Sequence, residues 1–129
     1  MLKEGIKGER SLVVTEECTA RALGSGELPV LATPRMIALV EETAWKSVSE
    51  ALEEGEGTVG TRIDVKHLAA TPMGKTVRCV TELTAVDRKK LTFRAEVFDD
   101  AGKVGEGVHE RFIVKNGPFL EKAAGRFAD

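Results

Sequence analysis

The segment ATPRMIALVEETAWKSVSEALEE, residues 32–54, contains no glycine, and no proline after Pro34. A run of that kind leaves the backbone few alternatives to one continuous helix. Thr33 supplies a hydroxyl able to cap the orphan amides and Pro34 suits the first helical position, so the spacing predicts a helix of about 20 residues. Ile37, Glu41, Ala44, Val48 and Leu52 recur at three- and four-residue intervals, with Trp45 adjoining them, and form a candidate buried stripe. Arg35, Glu42, Lys46, Ser49 and Glu53 make a solvated face on which Glu42 and Lys46 are spaced for an i,i+4 ion pair. The adjacent glutamates Glu41 and Glu42 therefore occupy different environments.

The chain around this helix alternates with period two. After EEGEGTVG, which reads as a turn, TRIDVKH puts Thr61, Ile63, Val65 and His67 on one strand face and Arg62, Asp64 and Lys66 on the other. Thr71, Pro72 and Gly74 end that pattern close to His67. Residues 76–86 and 91–98 are further strands joined by a hairpin at DRKK, and the turn signal DDAGK leads into a last strand from Val104 to Val114. Before the helix, GERSLVVTE holds a candidate edge strand at Ser11–Thr15, and Arg21–Leu28 reads as a loop.

One long helix with at least four antiparallel strands can bury its stripe against one sheet face. The expected class is α+β, with the helix wrapped by a curved antiparallel sheet, in one domain over residues 1–129. The tail NGPFLEKAAGRFAD, residues 116–129, is expected to be a surface extension in which Phe119 and Phe127 are available as anchors.

Whole-chain chemistry narrows the partners. The formal charge is only -2 and basic residues are interleaved with acids, which gives nucleic-acid binding no support. No run approaches the roughly 20 apolar residues of a membrane span, and MLKEGIKGER lacks a secretory core, so the expected compartment is the cytoplasm. Cys18 and Cys79 lack a ligand-like spacing and read as incidental thiols, with neither a metal nor a disulfide indicated.

Glu41 and His67 are the polar residues placed on apolar faces. Glu41 reads as a pocket carboxylate, as one half of an interface pair or as a water-exposed group at the edge of the apolar face. His67 reads as a functional imidazole or as a satisfied strand-end histidine. In the HER triplet, alternation sets His109 and Arg111 on one face and Glu110 on the other.

The segments ATPRMIALVE, IDVKHLAATPMG and GVHERFIV resemble the corresponding parts of hotdog-fold thioesterases, above all the fluoroacetyl-CoA thioesterase-like family, over residues 5–115. The resemblance implies a hotdog fold and hydrolysis of an acyl-CoA by a threonine, a glutamate and a histidine, which match Thr33, Glu41 and His67. It also sets Gly60 near the acyl group, where a missing side chain permits close approach. His109 and Arg111 are expected to form a hydrogen-bond network, to contact CoA or to lie uninvolved on the surface, with Arg111 the CoA-binding candidate. CoA enters as part of the substrate, no cofactor is required, and the partner is a second copy of the chain in a homodimer, with a tetramer as the alternative. One departure stands out: TARALGSGELPV lacks the aromatic residues of the family's lid, which implies a different or broader acyl preference.

Within that chemistry Glu41 either attacks the thioester carbonyl itself or activates water, while His67 moves a proton. The chief alternative is a noncatalytic acyl-CoA-binding or sensing protein. A ligand-free structural oligomer and an acyl-CoA hydratase of the same fold are the others.

Overall fold

The computed structural model describes residues 2–127. Strand β1 (Lys7–Val13) is followed by a single 3-10 turn at Glu16–Cys18, a short helix α1 (Ala20–Leu23) and the long helix α2 (Thr33–Val48). Four strands come next: β2 (Glu56–His67), β3 (Thr76–Asp87), β4 (Lys90–Asp99) and β5 (Gly102–Lys115). Helix α3 (Asn116–Gly125) closes the order. All strands lie in one antiparallel sheet in the order β1-β3-β4-β5-β2. This is the hotdog arrangement, with α2 as the filling and the sheet as its wrapper.

Helix α2 ends sooner than its composition suggests. The backbone leaves the α-helix at Ser49 through a 3-10 turn, Ser49–Ala51, and Gly55 reverses direction at φ +82°. The buried stripe is Met36, Leu39, Val40, Thr43, Ala44 and Val48, rotated from the expected one. Ile37 and Glu41 sit at the edge of the core, Leu52 lies beyond the helix, and Trp45 is exposed. Both stripes satisfy helical spacing, and burial of Leu39 and Val40 against Val77, Cys79, Ala95 and Val97 decides between them. A second cluster gathers Ala44 and Val48 around Leu83, Leu91, Phe93 and Ile113. Burying such side chains is worth roughly 1.5–3 kcal/mol each, which fixes the helix on the sheet.

Other boundaries shift for local reasons. The first strand runs from Lys7 to Val13, not Ser11 to Thr15, because its partners on β3 extend from Thr76 to Glu82. EEGEGTVG is not all turn: β2 already begins at Glu56, and a bulge between Gly60 and Arg62 leaves Thr61 exposed while Ile63, Val65 and His67 keep their inward parity. The segment read as a loop from Arg21 includes most of α1, capped by the Thr19 hydroxyl accepting from the Ala22 N–H at 3.2 Å. At the C-terminus the tail forms the exposed helix α3, and Phe119 and Phe127 face solvent instead of anchoring it. Residues 128 and 129 of that tail lie outside the described residues.

The register of β2 and β5 pairs His67 with Gly105. A methyl group on Gly105 would come within 2.7 Å of Met36 Sδ, so the absent side chain lets the first turns of α2 settle against β5 next to His67. Gly105→Ala is expected to push Met36 outward and cost about 1–3 kcal/mol, as overpacking does. Urea unfolding checks this, and an unchanged midpoint would show that the contact is slack.

Candidate active site

Two groups of polar side chains face the region between α2 and β2. The first is Thr33 with His67. The expected hydroxyl cap does not form: the residue at the helix N-cap is Ala32, Thr33 starts the helix itself, and Pro34 follows it. The Thr33 hydroxyl instead shares a 2.8 Å hydrogen bond with His67 Nδ1. It therefore acts across elements, fixing a strand-end imidazole with a helix-start hydroxyl. His67 Nε2 is buried and has no hydrogen-bond partner among the described residues. Burial lowers the His67 pKa below its ordinary value, against an opposing contribution from the Ala69 backbone. A neutral imidazole with one nitrogen oriented and the other free is suited to accepting or passing on a proton.

The second group is built around Arg111, whose side chain is only 8% exposed. Its Nε donates to Thr58 Oγ1 at 2.7 Å, Nη2 donates to the Thr58 carbonyl at 2.9 Å, and Nη1 donates to His109 Nε2 at 3.1 Å. His109 Nδ1 donates to the Arg62 carbonyl at 2.8 Å. These partners fix the tautomer: with Nδ1 donating and Nε2 accepting, His109 is neutral. Burial is the main reason its pKa lies below the ordinary value, and the adjacent Arg111 charge lowers it further. Burial lowers the Arg111 pKa as well, while Glu41 opposes that shift.

Glu41 reaches this network from the helix. Its Oε2 lies 3.8 Å from Arg111 Nη1, and its side chain is 41% exposed, so it stands at the mouth of the site and is not a buried carboxylate. Gly60 lies beneath it: a methyl group there would come within 2.8 Å of Glu41 Oε2 and 3.3 Å of both Arg111 Nη1 and His109 Cε1. Glu42 turns the other way and pairs with Lys46 at 3.1 Å and Arg10 at 3.5 Å. The Lys46 hydrogen bond is the main cause that holds the Glu42 carboxyl below the usual range.

The two groups do not meet within one chain. No hydrogen bond joins Glu41 to Thr33 or His67, and the eight residues from Thr33 to Glu41 correspond to about 12 Å of helix rise. Each group opens on its own cleft. One, of about 420 Å³, is lined by Arg35, Ala38, Glu41, Glu42, Trp45 and Arg111. The other, of about 380 Å³, is lined by Thr33, His67, Ser25, Leu68 and further apolar residues. A larger concavity of about 640 Å³, between Asp64, Lys66, Arg94, Glu96, Glu106 and Val108, holds none of these groups. Thr58 was hidden from sequence reasoning because its segment reads as a turn. The face that Arg111 shares with His109 was the available clue to its buried network.

Known proteins share this frame. A family model described as fluoroacetyl-CoA-specific thioesterase FlK matches residues 14–117. A fluoroacetyl-CoA thioesterase from Streptantibioticus cattleyicolor is 37% identical, with 88% of each chain covered. A solved structure of the fluoroacetyl-CoA thioesterase FlK has a TM-score of 0.91 at 33% identity, covering 98% of both chains. A Thermus thermophilus protein described as a thioesterase superfamily member has a TM-score of 0.87 at 28% identity, covering 97% of this chain and 95% of the other. The fold thus falls within the hotdog-fold thioesterases. Within that class the chain belongs to the fluoroacetyl-CoA-specific thioesterase family.

The two imidazoles carry a pH signature. The pKa of each lies below the ordinary 6.5 in the folded chain, so below that value the unfolded chain binds more protons and stability falls with pH. Above it both states are neutral there and no penalty applies. The unfolding midpoint is expected to fall between about pH 7 and about pH 5, with a shallower slope in His109→Gln. Identical slopes in the two proteins would contradict the neutral, buried His109.

Proposed function

We propose that this chain hydrolyses small or moderately sized acyl-CoA thioesters to free acid and CoA, working as a cytoplasmic homodimer with its active sites at the subunit interface. The observation that carries this reading is the pairing of Thr33 with His67 and of Glu41 with Arg111 on a family frame whose relatives are described as fluoroacetyl-CoA thioesterases. Hydrolysis needs an oxygen nucleophile at the carbonyl carbon, stabilisation of the developing oxyanion, and departure of sulfur as the C–S bond breaks. Glu41, at the mouth of its cleft, is the group for the first step, either as nucleophile or by drawing a proton from water. His67 carries a proton between the attacking oxygen and the departing thiolate, with Thr33 holding its ring.

Gly60 and Arg111 serve the substrate. Without a side chain, Gly60 leaves room below Glu41 for an acyl carbonyl. Arg111 commits Nε and one donor on each terminal nitrogen to Thr58 and His109. A second donor remains on Nη1 and on Nη2 for Glu41 and the substrate.

The separation of Glu41 from His67 is what favours a dimer. Strand β2 is an edge of the sheet, and its free backbone groups are a template for another strand. Antiparallel, twofold pairing of two such edges about an axis beside Ile63 and Asp64 brings the partner's His67 to the level of Gly60, beneath Glu41. Closed twofold association is the common form of such assemblies.

Thiol release from a panel of acyl-CoAs tests the chemistry. Glu41→Ala and His67→Ala are each expected to lower kcat/KM by about 10²–10⁴-fold. Thr33→Ala should lower it less while leaving the melting temperature near that of the parent, because no capping bond is lost. Undiminished turnover in a folded Glu41→Ala protein would overturn the assignment.

A further inference from the structure

The cleft of about 380 Å³ beside Thr33 and His67 is walled by Ala20, Ser25, Val30, Leu31, Ala69 and Ala70, with no charged side chain among its lining residues. Its outer wall is a strap tied down at its base. Ala20 N–H donates to the Val30 carbonyl at 2.9 Å, Arg21 N–H to the Leu28 carbonyl at 3.1 Å, and Leu31 N–H to the Thr71 carbonyl at 2.9 Å. Gly24, at φ +77°, turns the chain at the end of α1. Arg21 is drawn away by Glu16 at 2.8 Å, which leaves the wall uncharged. The strap is thus held in place and lines the cleft with uncharged side chains, and the catalytic pair borders the space it leaves.

We infer that this cleft is an acyl-chain site and that the substrates are short- to medium-chain aliphatic acyl-CoAs of about four to eight carbons, an inference that rests on the hydrolase reading above. Volume is the first reason. An acetyl group, with three heavy atoms at about the 30 Å³ of a water each, leaves most of the cleft unfilled. Unfilled apolar walls forfeit dispersion contacts that a longer chain would make. Chemistry is the second reason, since a terminal carboxylate would meet no cation there and would lose its hydration. The acyl tail therefore extends past His67 towards Ala69 and Ala70, with its carbonyl left at the polar groups. Each methylene that enters the cleft is worth about fourfold in affinity.

Binding and turnover are tested separately, using the full chain. Calorimetry with S-ethyl-CoA and S-hexyl-CoA, which cannot be hydrolysed, is expected to show at least about tenfold tighter binding of the hexyl compound. Ser25→Phe and Ala69→Phe, two independent ways of filling the cleft, should each reduce that ratio towards one without unfolding the protein. In parallel, kcat/KM should rise from acetyl-CoA to hexanoyl-CoA and be low for succinyl-CoA. Equal binding of the two thioethers, or a ratio unmoved in both folded phenylalanine variants, would overturn the acyl-chain site even if acetyl-CoA is hydrolysed. A hexyl preference with no turnover of any thioester would support the site and overturn the hydrolase reading instead.

Discussion

Burial of one face of α2 against the sheet is the constraint on which the rest of this structure depends. Met36, Leu39, Val40, Ala44 and Val48 are essentially inaccessible to solvent, as are the strand residues they meet. Once those positions are fixed, the rotation of the helix is fixed, and so are the directions of its polar side chains. Glu41 is turned to the β2 side, Glu42 to the β1 side, and Thr33 to the end of β2. Removing a large core side chain costs about 2–5 kcal/mol, a large share of the 5–15 kcal/mol that holds a typical domain together. Site geometry and core packing are thus parts of one solution.

A buried guanidinium organises the electrostatics. Arg111 is placed deep by the same alternation that buries Phe93 and Ile113, and a buried cation is tolerated only when its donors are satisfied. Thr58 takes two of those bonds from the neighbouring strand, His109 takes a third as a neutral acceptor, and Glu41 stands close enough to balance charge. The network also ties β2 to β5 beneath the helix, near the bulge that follows Gly60.

Much of this was legible in the sequence because burial leaves a periodic trace. The long helix, the strands after it, the apolar-face parity of His67, the common face of His109 and Arg111, and the difference between Glu41 and Glu42 all follow from spacing. What spacing could not give was the phase of the helix. Ile37–Glu41–Ala44 and Met36–Val40–Ala44 are equally good helical stripes, and only the strand side chains they face choose between them. Nor could it show that the Thr33 hydroxyl bonds His67, since that contact joins residues far apart in the chain and competes with an equally plausible cap. Thr58 and Gly60 were read as turn residues because glycine-rich composition resembles a loop, although pairing with β5 makes them strand. Residue types marked the chemical candidates, and tertiary contacts determined which of them meet.

The central claim is that Glu41 of one chain works with Thr33 and His67 of another, and subunit complementation tests it most directly. Glu41→Ala and His67→Ala chains carrying different affinity tags would be co-expressed, and the mixed dimer purified through both tags and assayed against an acyl-CoA. In a site shared between chains, the mixed dimer keeps one interface with an intact glutamate and an intact histidine, so it should regain about half the parent activity while each mutant homodimer stays inactive. If the verified mixed dimer is as inactive as the homodimers, the catalytic groups belong to one chain and the shared site is wrong.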